Sequence, residues 1–450
     1  MVLNEKKIKK IIKNYSLQHR EDVLEFINKN PESLDVNELS RIAELVNNSR
    51  SDTAAYYTDS TILDTVKEYL PTIDKKIIRI LEPSVGVGNF LQLIIDKYKY
   101  AEKLIIDVND IDTKSIEVTK ALNKYRSIPE NVNIIYHNED FLSPFFQGNG
   151  KKYDLIVGNP PFIKLTKKNG LLDYSITFND KETKNSAGFF IQKSVMLGSN
   201  VMLIMPKYFL SNSDFATTRD RIGKYAVKTV LDFGEKGFRG VLIETIAVFI
   251  DSNGSPGETL SYSLTKDIYN IQMQISMTSE EFPGWLIYRN EFFNEISAKM
   301  KFSVFKVFRD RQITNNILKQ NGDIRVIKSR NIERSGRDII SIDGYDGYID
   351  KKDLEKLSVK KYYARDDVYL CPNMTYYPRV VKKPKNTITN GSVAILENIS
   401  NYEIKQKHLD FLSSSIFEKF YSIARNYSTR SLNIDANSIY FFGLYEDSKD

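Results

Sequence analysis

The chain has one cysteine, three histidines and one tryptophan in 450 residues. With Cys371 alone, no disulfide can form within the chain, and a reducing compartment is the expected setting. His19, His137 and His408 lie far apart, and none stands at metal-ligand spacing from Cys371, so no metal site is expected. No apolar run approaches the ~20 residues of a membrane span. The basic start MVLNEKKIKKII lacks the apolar stretch of a signal peptide. A soluble, cytoplasmic protein with no membrane partner is the expectation.

Tyrosine and phenylalanine, in contrast, are abundant, at 27 and 25 residues. They offer more stacking faces than a core alone needs. At roughly 100–200 residues per domain the length suits two or three domains. The net charge of +6 is carried entirely by residues 291–450, which hold 27 basic and 21 acidic side chains, while residues 1–290 balance. A neutral core joined to a polyanion-binding module would have this distribution, and so would a solvated surface that binds nothing.

Residues 1–50 have helical periodicity around Pro31. From residue 77 short β-branched stretches alternate with amphipathic ones. Strands are predicted at 77–81, 104–108, 133–136, 153–157, 201–205, 229–233 and 245–250, with helices at 90–98 and 113–125 among them. This alternation implies an α/β fold with a parallel, doubly wound sheet. EKGFRG joins the last two strands without room for a crossover helix, so a hairpin with one antiparallel strand should end the sheet. SNGSPGE (252–258) should be the first loop beyond it. A domain boundary falls between 285 and 295.

The chemistry gathers at strand ends, where doubly wound sheets bind ligands. Strand one runs into Glu82-Pro83-Ser84-Val85-Gly86-Val87-Gly88. Its glycines permit a tight turn and a close backbone approach. The third glycine of a dinucleotide fingerprint and the Lys-Ser/Thr of a phosphate loop are both missing. Glu82 would repel phosphate and suits a cationic or hydroxyl-bearing ligand. Strand two ends in Asp110-Ile111-Asp112, where a carboxylate can hold a ribose diol, although Asp112 also suits a helix cap. Strand three ends in Glu139-Asp140-Phe141. Strand four runs into Asn159-Pro160-Pro161-Phe162, a turn stiffened by two fixed φ angles. Asn159 Oδ1 and the Pro160 carbonyl can accept both hydrogens of an aromatic amino group, which shifts its nitrogen toward sp3 and aims the lone pair at an electrophilic methyl. Phe162 would stack on the base.

In this order the segments, from Ala54-Ala55-Tyr56-Tyr57-Thr58 through the Asn159 turn to the last sheet strand, resemble gamma-class N6-adenine DNA methyltransferases of the TaqI type. The resemblance continues, more loosely, through a C-terminal target-recognition domain. It implies a Rossmann-like methyltransferase sheet and S-adenosylmethionine as cofactor. Residues 1–50 would be a helical segment, 51–290 the catalytic domain and 291–450 the recognition domain. Tyr57, Thr58, Glu82, Pro83 and Gly86 would hold the cofactor's amino-acid end. Asp110 would take the ribose and Ile111 the adenine face, with Asp140 and Phe141 at the adenine amino group. Asn159, Pro160, Pro161 and Phe162 match the catalytic tetrapeptide, with Phe in place of the commoner Tyr, and Phe238 would be a second base-stacking aromatic. The base would be flipped from duplex DNA.

The segment Ile163–Gly188 reads either as a lid over the site or as a surface loop. In the last third, Lys328, Arg330, Tyr376, Arg379, Lys382 and Lys383 would contact DNA. A separately encoded companion restriction endonuclease and a prokaryotic, nucleoid-associated setting accompany this picture. Methylation of cytosine N4, of RNA or of protein glutamine, and a non-catalytic DNA-binding module, stay open as alternatives.

Overall fold

The computed structural model describes residues 5–46, 60–148, 150, 152–237, 243–374, 377–429 and 433–446. The chain forms two compact units, Met1–Thr278 and Ser279–Asp450.

Unit one is built on a nine-stranded sheet in the order β3-β2-β1-β4-β5-β7-β6-β8-β9. Its strands are β1 (Ile77–Glu82), β2 (Lys103–Asn109), β3 (Val132–His137), β4 (Tyr153–Gly158), β5 (Gly198–Pro206), β6 (Ala226–Gly234), β7 (Thr245–Asp251), β8 (Glu258–Ser263) and β9 (Ile268–Met273). β3, β2, β1, β4 and β5 are parallel neighbours. The α/β, Rossmann-like expectation is met, and for a simple reason. β1, β2 and β4 are near-continuous apolar runs because helices cover both faces, and β4 is buried along its whole length.

Two expectations at the sheet's far end are corrected. β7 does pair antiparallel with β6, but it lies between β5 and β6 rather than at an edge. The sheet continues through β8, parallel to β6, and β9, so residues 252–257 are an internal connection and Glu258 opens β8. β9 alternates half-buried and exposed side chains, an edge-strand pattern with little hydrophobic contrast to read.

The α-helices of unit one among the described residues are α1 (Glu5–Asn14), α2 (Arg20–Lys29), α3 (Val36–Val46), α4 (Ser60–Tyr69), α5 (Asn89–Tyr98), α6 (Thr113–Leu122), α7 (Leu171–Thr177), α8 (Ser186–Leu197), α9 (Ala216–Ile222) and α10 (Gln274–Met277). The N-terminal helices are packed onto the sheet unit. Ile27, Leu39 and Ile42 share one apolar cluster with Val118 and Leu122 of α6. Tyr125 also donates to the Ile27 carbonyl at 2.7 Å.

Unit two comprises β10 (Met300–Lys301), β11 (Phe305–Arg309), β12 (Ile324–Ile327), β13 (Gly347–Ile349), β14 (Val368–Pro372), β15 (Val381–Lys382), β16 (Thr387–Thr389), β17 (Val393–Asn398) and β18 (Leu444–Tyr445), which form a four-stranded sheet, β11-β17-β14-β15, a three-stranded sheet, β13-β12-β16, and the pair β10-β18. Their inner faces close over a cluster that includes Val326, Ile349, Leu370 and Ile395. Cys371 lies on β14 (Val368–Pro372), fully buried, and burial pushes its thiol up to about 12, which makes it a small core residue rather than a nucleophile. Among the described residues no helix is long and apolar enough to cross a membrane. Nor do any three His, Cys, Asp or Glu side chains among them stand where they could hold a metal ion.

Candidate active site

The loops after β1, β2, β3 and β4 meet at the carboxyl edge of the sheet, and Asn109 ties three of them together. Its Nδ2 donates to the carbonyls of Pro83 (3.2 Å) and Glu139 (3.0 Å), and its Oδ1 accepts from the Glu139 amide (3.1 Å). Ser84 Oγ donates to the Asn159 carbonyl at 3.2 Å, joining the β1 and β4 loops. Neighbouring parallel strands hold their ends in register, so residues distant in sequence arrive at one edge.

Between these loops lies a cavity of about 340 Å³. Glu82, Pro83, Gly86, Asp110, Ile111, Asp140, Phe141, Asn159 and Pro161, all singled out from the sequence, line it. Among the described residues, five carboxylates (Glu44, Glu82, Asp110, Asp112 and Asp140) and one guanidinium, that of Arg20, line it. The cavity therefore suits a cation and disfavours a phosphate chain.

Glu82 is 1% exposed, and its Oε2 finds no hydrogen-bond donor among the described residues. Burial holds its carboxyl well above the usual range; the nearby Arg126 charge opposes this and Asp110 adds to it. Arg126 is the hidden support of the glycine turn. Its Nη2 donates to the carbonyls of Val87 (3.0 Å) and Gly88 (2.9 Å), and Thr119 Oγ1 donates to that of Gly86 (2.8 Å). Burial lowers the Arg126 guanidinium to about 10. Gly88 has φ +75°, and a Cβ there would press on Leu91, Arg126 and Thr119. At Gly86 (φ +55°) a Cβ would meet nothing within 4 Å, so that turn backs onto open volume.

Asp110 accepts the amides of Gly86 (2.9 Å) and Asp112 (3.0 Å), one on each oxygen, which leaves one further lone pair on each for a ligand. Its carboxyl is raised by burial despite those two bonds. Asp112 does cap α6, accepting the Lys114 amide, and it also pairs with Arg20 of α2. Ile111 is 68% exposed at the cavity rim. Phe141 is buried, with ring centroids 5.2 Å from Phe146 and 5.0 Å from Phe190.

The Asn159 turn is pinned from behind by the start of α8. Asn185 Nδ2 donates to the Phe162 carbonyl (3.3 Å), the Ile163 amide to Ser186 Oγ (3.0 Å), and Ser186 Oγ to the Pro161 carbonyl. Pro160 and Phe162 do not line the cavity. Phe162 is 7% exposed. Tyr57, Thr58, Phe238 and Tyr376 lie outside the described residues.

The segment after the turn is neither a bare loop nor wholly polar. Its ends are bridged between Lys164 and Asn185, it contains α7, and Leu165, Asn169 and Tyr174 line the cavity. Tyr174 donates to Asp140 Oδ2 at 3.1 Å, and burial beside that carboxylate pushes its hydroxyl up to about 12. Sequence reasoning missed Tyr174, Arg126, Arg20 and Glu44, since none belongs to a motif at a strand end.

In unit two the expected DNA-contacting residues differ in fate. Lys328 Nζ and Arg330 Cζ sit 4.0 and 4.7 Å from the Tyr345 ring centroid, with Arg330 exposed. Lys382 is exposed. Arg379 is half-buried and directs its guanidinium to the carbonyls of Ile332, Tyr377 and Ser329. Lys383 is corrected: it is 1% exposed, and its ammonium donates to the carbonyls of Tyr363, Arg365 and Pro384. Burial lowers it to about 8. It is not a surface cation.

Residues 24–238 match the family described as Eco57I restriction-modification methylase. No curated protein sequence matches the chain. Among solved structures, the type IIG restriction endonuclease BpuSI is similar with a TM-score of 0.50 at 11% identity, over 92% of this chain and 61% of that one. The type IIL restriction-modification enzyme MmeI, in complex with DNA, gives 0.46 at 11% identity, over 98% and 66%. The type I restriction-modification methyltransferase subunit from Streptococcus thermophilus gives 0.40 at 13%, over 52% and 54%. In each case this chain spans less than two thirds of the other's length. At these identities the likeness is one of fold.

Proposed function

We propose that this protein is an S-adenosylmethionine-dependent DNA methyltransferase of the gamma class, which transfers a methyl group to the N6 amino group of an adenine flipped out of duplex DNA. One observation carries the reading: the Asn159 turn opens onto the same cavity as Glu82, Asp110 and Asp140. The match of residues 24–238 to a restriction-modification methylase family supports it.

The residues present fit the cofactor. The Oε2 of Glu82 is buried and has no hydrogen-bond donor among the described residues, and the open volume at Gly86 admits close approach of a ligand to the backbone. When bound, S-adenosylmethionine supplies an electrophilic methyl on a sulfonium. Glu82, Pro83 and Gly86 hold its amino-acid end, Asp110 the ribose, and Ile111, Asp140 and Phe141 the adenine. Tyr57 and Thr58 belong to the same group by resemblance.

Asn159 Oδ1 and the Pro160 carbonyl accept the two N–H bonds of the target amino group and turn its lone pair toward the methyl. Donors and acceptors fixed before reaction need no reorganisation as charge develops, and this is the main source of rate in such sites. Pro161 and Phe162 act by holding the turn. Flipping costs a few kcal/mol, and Phe238 is the aromatic assigned to offset part of it. Lys328, Arg330 and Lys382 contact DNA phosphates. A companion endonuclease and a nucleoid setting belong to the same proposal.

The test is methyl transfer from labelled S-adenosylmethionine into unmethylated duplex DNA, with product nucleosides identified by mass spectrometry. N6-methyladenine from the wild type and none from Asn159→Ala is the expected result. Label in cytosine, or none in DNA despite cofactor binding, would overturn the assignment of the target.

A further inference from the structure

Helix α8 touches two sides of the cavity. Its first residue, Ser186, and the Asn185 before it pin the Asn159 turn. Further along, Phe190 and Lys193 lie three residues apart, on one face of the helix. Both meet the loop that follows β3. Phe190 lines the cavity and packs its ring 5.0 Å from that of Phe141. Lys193 Nζ donates to the Ser143 carbonyl at 2.5 Å and sits 5.4 Å from the ring centroids of both Phe141 and Phe146. One ammonium thus holds three residues of the stretch 141–146, whose first member lines the cavity beside Asp140.

The charge at this position is costly. Lys193 is 7% exposed and makes no ion pair among the described residues. A carbonyl and two ring faces restore only part of the solvation that a buried ammonium loses. Methionine has nearly the same length and would fill the space without that loss. Burial lowers the ammonium to about 8, against the charges of Asp140 and Glu139. Asp140 is itself oriented on both oxygens, since Oδ1 accepts the Leu142 amide (2.9 Å) and Oδ2 the Tyr174 hydroxyl (3.1 Å). One further lone pair on each oxygen is left for a ligand.

Resting on the cofactor reading above, we propose that Lys193 is a positioning residue for the cofactor's adenine, holding the loop after β3 so that Asp140 and Phe141 tell a purine 6-amino group from a 6-oxo group. A carboxylate accepts an N–H from the first and meets a second acceptor in the other, a discrimination that depends on its being held in place. Through α8 the same helix supports both this loop and the Asn159 turn.

The experiment is calorimetric titration of the whole chain with S-adenosylhomocysteine and, separately, S-inosylhomocysteine, which has oxygen in place of the 6-amino group, accompanied by thermal melting. Lys193→Met should weaken the adenosyl ligand about tenfold and the inosyl ligand by about threefold or less, narrowing their ratio. Lys193→Arg, which keeps a cation and a donor, should retain most of the ratio. In methyl transfer, Lys193→Met should raise KM for S-adenosylmethionine about tenfold and leave kcat within about twofold. If Lys193→Met does not fold, Phe146→Leu removes one of the two rings at the ammonium and should narrow the ratio in the same direction. Equal losses for the two ligands, or none, in folded variants overturn the proposal while the cofactor reading stands. A wild type that binds the two ligands alike overturns the role of Asp140 and this proposal with it. Failure of the wild type to bind either ligand overturns the cofactor reading as well.

Discussion

Lys382 and Lys383 are adjacent in sequence, yet one is exposed and the other buried under three carbonyls. In unit one Glu82, Asp110, Asp140 and Asn159, each at or just after a strand end, all line one cavity. In the sheet unit, position along a strand decides where a side chain goes, because parallel register brings every strand end to the same edge. In unit two, a basic composition gives the number of charges but not their direction. Val381 is buried and Lys382 exposed in the short strand Val381–Lys382, and Lys383, just beyond it, is buried again.

The largest test of this contrast is at the cavity. Asn159→Ala should lower methyl transfer by about 10²–10³-fold or more, the scale of losing a preorganised polar group in a transition state. Cofactor affinity, measured by calorimetry, should change little, since Glu82 and Asp110 are untouched. If affinity fell in parallel, the two halves of the site would not be separable.

Next in size is Lys383→Met, which keeps the stem and removes the ammonium. Three carbonyls lose their donor, and urea unfolding should show a loss of about 2–3 kcal/mol. DNA affinity corrected for the unfolded fraction should stay unchanged. A folded variant that binds DNA more weakly would restore Lys383 to the DNA-contacting surface.

Glu82→Gln tests the cavity's charge through pH. The folded-state pKa of Glu82 is raised by burial, so the ligand-free fold binds its proton more tightly than the unfolded chain. This group's contribution to stability is therefore present below the unfolded carboxylate value and is lost as pH rises through the raised folded value. At neutral pH the ligand-free Gln variant should melt a few degrees above wild type, with the gap closing in acid. Over the same window the wild type should gain cofactor affinity as pH rises, about tenfold overall, and the variant should not. Parallel curves would show that Glu82 carries no charge in the site.

The smallest expected effect is at the exposed cations. Arg330→Ala should weaken DNA binding by about twofold to fivefold at moderate salt and reduce the salt slope by about one. Lys382→Ala should behave alike. No change in slope for either would remove this surface from the DNA interface.

Seven strands were legible in the sequence, most of them because a strand buried on both faces is a near-continuous apolar run. The two beyond residue 252 were not: β8 and β9 pair at an edge, where half the side chains face solvent and the pattern blurs. The carboxylates at the first three strand ends were legible for the same reason that the Asn-Pro-Pro turn was, since each follows an identifiable strand. Glu44, Arg20, Arg126 and Tyr174 were not, as none follows a strand end and each meets the cavity loops through long-range tertiary contacts. The Asn-Pro-Pro-Phe motif is plain in the sequence, but how much of its aromatic is exposed is set by tertiary packing, and Phe162 is 7% exposed.

By itself the sequence determined the strand order along the chain, the glycine turn, and the residue types at each strand end, because these depend on local periodicity and backbone chemistry. The tertiary structure alone decided which charges meet. It joined the N-terminal helices to the cavity, paired Arg20 with Asp112, and buried Lys383 while leaving Lys382 in water. Those outcomes depend on long-range packing and desolvation, which no window along the chain encodes.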